Sequence, residues 1–502
     1  MSPATDLSGG AESPVLPAAS TTYSHPSTDS PVFNGITANT IFAPPESQTQ
    51  TATRVHLDLL AALLVAAPSD TAASIANHCI LLYTQYVFGT VPMCHEAALR
   101  ATVSRFFIIP PSDGDDPSEK HALISRHFAT NNEWERVGAL RSLTLLTSLC
   151  AAVTYTVPQS LLPNKHLTGP LFLRAARETL RIYEDYDLEH PDSSSLVIRL
   201  FLSSAIQTAT GTHGVAFHIL SEAGVIAMRM RLYDESSLEG REPVEENLLR
   251  NAFWQLYVCD KTALVMKGRP ITIHETLFET ELTLRTHSRS SVLLFDHGRE
   301  SNGTGIEDRL LEGFHVIRRL WTMAARVIQA MELNSKRTSD AHTDTESCRE
   351  SVAQLSEAYF KMITSTNNLP AWVRFPGELP PDVSQDADQH RFEIFQRQRT
   401  SYLITLHSIK FLMLKSAIQC NMTEVMGVSP DPLTLAMRQI ELGQDFLNIL
   451  EGLPFLHLQV EGEHCVGRPK DGMHGVLMRI FTRLHCVIGI GREDPTSRQR
   501  AA

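Results

Sequence analysis

Arg250-Asn251-Ala252-Phe253-Trp254-Gln255-Leu256-Tyr257-Val258-Cys259-Asp260-Lys261, followed by Gly268-Arg269-Pro270, is the stretch on which the reading of this chain turns. Leu248, Leu249, Ala252, Phe253, Leu256 and Ala263 recur at spacings of three and four, so they line one side of a helix instead of alternating across a strand. Gly268 then lets the backbone turn sharply and Pro270 stiffens the exit. The same spacing recurs along the chain. Leu59, Ala62, Leu63 and Ala66 form one face; Leu140, Leu143, Leu146, Leu149, Cys150 and Val153 form another. After Gly214, Val215, Ile219, Ala223, Ile226 and Met230 line a third. Alternating β-branched runs are few, so the expected fold is all-α, a large multi-helix domain.

With 502 residues of which 43% are hydrophobic, the chain can bury sizeable cores. Its formal net charge of -12 argues against a broad basic surface, because sequence-independent affinity for nucleic acid comes from Lys and Arg displacing counterions. The eight cysteines, Cys79, Cys94, Cys150, Cys259, Cys348, Cys420, Cys465 and Cys486, are far apart and form no Cys-x-x-Cys pair, which suits a reducing compartment. No charged segment followed by an apolar one opens the chain. The apolar runs 59–67 and 143–153 are too short or too rich in Ser and Thr to span a bilayer, which takes about 20 residues, and are expected to be buried helices.

Residues 1–54 are rich in Ser, Thr, Pro and Ala and contain no Lys or Arg before Arg54, so a disordered tail is expected there. Its plainest role is a flexible leader. Asp6, Glu12, Asp29 and Glu46 with Phe33, Ile41 and Phe42 also allow an acidic activation segment. The helical domain is expected over residues 55–495. The turn-rich run Pro110-Pro111-Ser112-Asp113-Gly114-Asp115-Asp116-Pro117 breaks it, and His190-Pro191-Asp192-Ser193-Ser194-Ser195 reads as a loop entering a capped helix. Polar stretches at 286–308 and 334–346 separate later helices, the second expected to be mobile.

The opening stretch resembles the signature of the fungal transcription-factor regulatory domain, the middle homology region of zinc binuclear cluster activators, where a basic residue, Phe-Trp, an Asp and Gly-Arg-Pro recur. Other segments are similar to the same family: Val91-Pro92-Met93-Cys94-His95-Glu96, Phe172-Leu173-Arg174-Ala175-Ala176-Arg177, Met228-Arg229-Met230-Arg231-Leu232 and Leu369-Pro370-Ala371-Trp372. Tyr233 stands where His is common in that family. The resemblance implies a nuclear regulator of a fungal metabolic or secondary-metabolite gene set, built on an all-α regulatory domain. Homodimers or heterodimers with a DNA-binding transcription factor, and a small-molecule effector, are its implied partners. The family's zinc cluster needs six cysteines within roughly 30 residues, and no cysteine precedes residue 55. DNA would then be reached only indirectly. Either the chain acts naturally through a partner, or its reading frame begins downstream of a DNA-binding exon.

Arg250, Phe253, Trp254, Asp260, Gly268, Arg269 and Pro270 are taken as a structural signature, with no catalytic, cofactor or metal role. Phe253 and Trp254 suit core packing better than ligand stacking. Asp260 lies one turn beyond Leu256, near the apolar face, where an unpaired carboxylate is costly. Arg269 is the expected partner, since Arg250 is too far along the helix, although the pair could instead belong to an effector site. The dipeptides His78-Cys79, Cys94-His95, His464-Cys465 and His485-Cys486 do not make metal sites alone, because helical neighbours point about 100° apart. His95-Glu96 and His274-Glu275 begin zincin-like patterns, but Leu99 and Phe278 occupy the second His position. No nucleophile elbow, phosphate-binding loop or dinucleotide fingerprint is present.

Overall fold

The computed structural model describes residues 45–108, 117–211, 213–266, 271–287, 292–295, 304–339, 345–364, 369–374 and 385–462. Phe33, Ile41 and Phe42, the segment 268–270 with Arg269, and Cys465 and Cys486 lie outside the described residues. The fold is all-α, with no strand among the described residues. In order, the helices are α1 (Pro45–Ala66), α2 (Ala72–Tyr86), α3 (Glu96–Phe106), α4 (Pro117–Ser125) and α5 (Glu133–Thr156). Then come α6 (Lys165–Glu189), α7 (Ser193–Thr210), α8 (His213–Arg229), α9 (Pro243–Met266) and α10 (Thr304–Ser339). The last are α11 (Thr345–Thr364), α12 (Ala371–Arg374), α13 (Gln385–Gln419), α14 (Pro432–Glu451) and α15 (Phe455–Gly462).

Helix starts follow local chemistry. Asp192 caps α7 by accepting from Ser195 N while the Ser195 hydroxyl accepts from Asp192 N, a reciprocal box that satisfies two otherwise unpaired donors. The loop read from 190–195 thus runs into the capped helix that its sequence predicts. Gly211, at φ 67, ends that helix in the left-handed region where a side chain is strained. Asn132 caps α5 and Asp431, followed by Pro432, caps α14.

Two main cores organise these helices. The larger gathers α1 to α9 around α5, which packs on α2, α3, α6 and α7. The second is built from α10, α11 and α13 with Val265 from the end of α9. Three helices belong to both: α9 places Phe253 in the first core and Val265 in the second, α10 places Phe314 and Ile328, and α13 places Phe395 and Met413. Close approach requires small residues at two crossings. A Cβ on Gly169 would stand 2.8 Å from Thr154 Oγ1, where α6 crosses α5, and one on Gly313 would stand 2.0 Å from Gln398 Oε1, where α10 crosses α13.

Several expectations change. The folded part reaches upstream of Arg54: α1 begins at Pro45, Ala52 and Thr53 are buried, and Thr49 Oγ1 donates to Phe128 O at 3.3 Å. Polar composition hid this half of α1. The run 143–153 belongs to a 24-residue helix long and apolar enough to cross a membrane, but 83% of its most apolar window is buried among other helices. On α8, Val215 is exposed and Ala216 and Leu220 take the inner face. The polar stretch 334–346 is entered by α10, which runs on to Ser339.

Candidate functional site

The signature helix α9 is buried along most of its length, and its polar side chains work as clamps on the segments around it. Arg250 is almost wholly buried and its fork spans two carboxylates: Nη1 donates to Glu235 Oε2 at 2.6 Å, and Nη2 to Glu246 Oε1 at 2.6 Å. Glu235 also accepts from Arg285 N at 2.9 Å, and the Arg285 carbonyl accepts from Trp254 Nε1 at 2.9 Å. Burial alone would raise the Glu235 carboxyl, but Arg250 and Arg285 bring it below the usual range. Arg250 and Trp254 therefore tie the 3-10 turn Glu235–Leu238 that precedes α9, and the chain at Arg285 that follows it, to α9. Phe253 is fully buried and meets Trp254 edge-on, with centroids 5.4 Å apart.

Asp260 is satisfied by backbone. Thr272 N donates to its two oxygens at 3.0 and 3.1 Å, the Thr272 hydroxyl adds a third bond at 3.0 Å, and Ile273 N donates to Oδ2. Its carboxyl is still raised, because burial outweighs those donors. The expected partner Arg269 lies outside the described residues. Among those described, Asp260 anchors the chain returning from α9, a role that amide donors fill as well as a cation would.

One turn along, Tyr257 and Lys261 converge on Glu275. Lys261 Nζ reaches Oε2 at 2.8 Å and the Tyr257 hydroxyl donates to Oε1. Burial pushes Glu275 up, but these two donors hold it down to about 2. On the α10 side, Arg318 stacks over Trp254, its guanidinium carbon 4.1 Å from the ring centroid. Arg318 Nε donates to His315 Nδ1 at 3.2 Å, and His315 Nε2 faces Thr286 O at 2.8 Å. The two bonds fix the neutral tautomer with its proton on Nε2. Burial, then the Arg318 charge, lower His315 to about 3.

A second polar cluster lies inside the first core, and sequence reasoning missed it. Asp187 on α6 accepts from Arg141 Nε on α5 at 2.8 Å, from Ser195 Oγ on α7 at 2.7 Å and from Arg199 Nη1 on α7 at 2.6 Å. Arg141 continues to Asp192 at 2.9 Å and to the His190 carbonyl at 2.5 Å, while Arg199 Nε reaches Glu222 on α8 at 3.2 Å. Three helices are joined through one carboxylate, and Arg199 extends the cluster to a fourth through Glu222. The available signal was a charge set inside an apolar run, Arg141 among Leu140 and Leu143, and Arg199 between Ile198 and Leu200.

Glu307, in the first turn of α10, accepts from Leu294 N at 2.9 Å and Phe295 N at 3.2 Å. This fixes two buried residues within a stretch read from sequence as a polar spacer, and Phe295 stacks on Phe88 at 5.2 Å. Among the described residues no group of three or more His, Cys, Asp or Glu is placed to hold a metal ion. No protein family, curated protein or solved structure matches the chain.

Proposed function

We propose that the chain is a nuclear transcription regulator of the kind its signature resembles, a fungal regulatory domain whose helices pass a ligand or partner signal to promoter output. The observation that supports the reading most is the placement of the signature. Arg250, Phe253, Trp254 and Asp260 lie on a helix shared by two cores, and their polar bonds hold the segments on both sides of that helix. A ligand that binds two arrangements of such a junction differently shifts their populations. The reading assigns no catalytic step and places DNA contact with a partner factor, homodimeric or heterodimeric association included. The resemblance implies a metabolic or secondary-metabolite gene set.

Fusion of the full chain to a heterologous DNA-binding domain in a yeast reporter strain tests it. Reporter output is expected to change, and Arg250→Ala or Trp254→Ala is expected to abolish the change. A stably expressed nuclear fusion that leaves the reporter at the level of the DNA-binding domain alone would rule the reading out. A second reading, a regulatory partner that never touches DNA itself, is favoured by the net charge of -12. Mobility-shift titration at physiological salt tests what the two share, since tight sequence-selective binding by the chain alone would rule out DNA contact only through a partner.

A further inference from the structure

We propose that the outward face of α14 is a dimerisation surface, on which a second copy of this chain lays its own α14 antiparallel. The inference gives the homodimeric association of the regulatory reading a location, and its test uses purified protein with no transcriptional readout, so either can fail without the other.

α14 is apolar on two sides. Leu442, Phe446 and Leu450 are buried, and Phe446 meets the His407 and Phe411 rings of α13. Leu433, Met437 and Ile440 are instead 69%, 56% and 70% exposed. Leu433 and Leu442 are nine residues apart, which turns them to opposite sides of the helix, about 180° from one another. The outer residues therefore cannot enter the core that the inner ones fill. Three large apolar side chains gathered on one exposed stripe form a patch, unlike single apolar residues scattered over a surface.

The spacing selects the occupant. Leu433, Met437, Ile440, Gln444 and Leu447 follow one another at intervals of four, three, four and three, which is the seam of a two-helix coiled coil. From Leu433 to Gln444 that spacing reads the same in both directions. An antiparallel copy therefore offers the same seam, with Met437 opposite the second copy's Ile440 and Leu433 opposite its Gln444, and the contact closes on a two-fold axis. No charged side chain lies in the seam, so nothing in it selects a partner of opposite charge. The antiparallel arrangement also opposes the two helix dipoles.

Gly443 points the same way independently. It stands in the helix interior, where glycine is less favourable than alanine, and a Cβ built on it meets nothing within 4 Å. Packing within the chain does not require it. In the antiparallel pair Gly443 flanks the seam on the side of the second copy's Ala436, and two small residues there let the backbones approach closely. The 20 residues of α14 span about 30 Å, so one pair of helices buries less than the roughly 1,600 Å² of a standard interface. A dimer with a dissociation constant on the order of micromolar follows.

Sedimentation equilibrium of the full chain from about 1 to 200 μM at physiological salt tests the surface. The parent is expected to show a reversible monomer–dimer equilibrium. Ile440→Glu sets a carboxylate where the two copies cross and should keep the protein monomeric throughout, with an unchanged circular dichroism spectrum because residue 440 is exposed. Gly443→Ala should weaken the dimer roughly tenfold while raising the melting temperature of the dilute monomer, a split that a purely intrachain role would not produce. Leu64→Glu, on the exposed face of α1, should leave the dimer intact. A parent that stays monomeric to the top of the range, a dimer that survives Ile440→Glu or is untouched by Gly443→Ala, or equal weakening by Leu64→Glu, overturns the proposal.

Discussion

Arg199 and Asp187 meet at 2.6 Å with no exposed surface on either side chain. Water cannot compensate the loss of either partner, and Asp187 also holds Arg141 at 2.8 Å. Asp187→Asn is therefore expected to leave two buried guanidinium groups with one carboxylate each, Asp192 for Arg141 and Glu222 for Arg199, and to cost about 3–5 kcal/mol. Replacing Arg199 by Met in the same chain should recover part of that loss, because it removes one of those charges. Denaturant midpoints for the two single variants and the double variant check this. Additive losses would show that the pair is not coupled.

Asp260 supports the chain after α9 through three donors from Thr272 and Ile273. Asn at this position offers one acceptor oxygen and sets an amide nitrogen against a backbone N–H. A loss of roughly 1–3 kcal/mol follows. Thr272→Val removes the hydroxyl but keeps the backbone donors, so it should cost less, and hydrogen exchange at residues 272 and 273 should rise only in the Asp260 variant. Unchanged protection there in Asp260→Asn would refute the anchor.

Gly313→Ala is expected to destabilise the protein by about 2–4 kcal/mol. The added Cβ would meet Gln398 Oε1 at 2.0 Å, and Gln398 cannot withdraw freely because its Nε2 donates to Gly89 O at 2.6 Å and Leu310 O at 2.7 Å. Gln398→Ala should rescue part of the loss by opening the crossing. A Gly313→Ala protein that melts with the parent would mean that α10 and α13 can separate without cost.

Buried histidines set the acid limit of the fold. Burial lowers His56, His407 and His457 to about 4, and His315 to about 3, from an ordinary value of 6.5. Between pH 6.5 and about 4 the unfolded chain binds protons at these rings and the folded chain does not, so stability is complete above 6.5 and falls as pH drops. Each net proton contributes roughly 1.4 kcal/mol per pH unit. Glu307 works in the other direction. Burial raises it to about 7 from 4.5, so its stabilisation is present below 4.5 and lost as pH rises through 7. Burial raises Asp260 and Glu245 in the same sense as Glu307, and the four rings outweigh these carboxyls over the shared window. Stability measured by urea unfolding should rise from pH 4 to 6.5, and Glu307→Gln should steepen that rise. A flat profile over this range would contradict the burial of the four rings.

Legibility in the sequence followed the kind of contact. The apolar faces of α5 and α9 could be read because burial imposes a period, and Leu140, Leu143 and Leu146 are all buried as that period requires. The cap at Asp192 could be read because its partner is three residues away. Asp187, Arg141 and Arg199 could not be paired, since the first two are joined across 46 residues, and the apolar runs around Arg141 and Arg199 mark burial without naming a partner. Asp260 was read correctly as needing a partner, yet its described partners are amides, which every residue but proline carries and which no composition reveals. The start of α1 is hidden for the opposite reason: Thr and Gln around residues 48–53 look like a tail until the turn after α4 meets them at Thr49, whose hydroxyl donates to Phe128 O.

With 36 residues, α10 is about 54 Å long, and it is fixed in one core by Leu310 and Phe314 and in the other by Ala324 and Ile328. A rod gripped at two places does not need a chain of side-chain movements to carry information. A small roll about its axis at Arg318 displaces every residue on its surface together, so the far end registers events at the near end through stiffness alone.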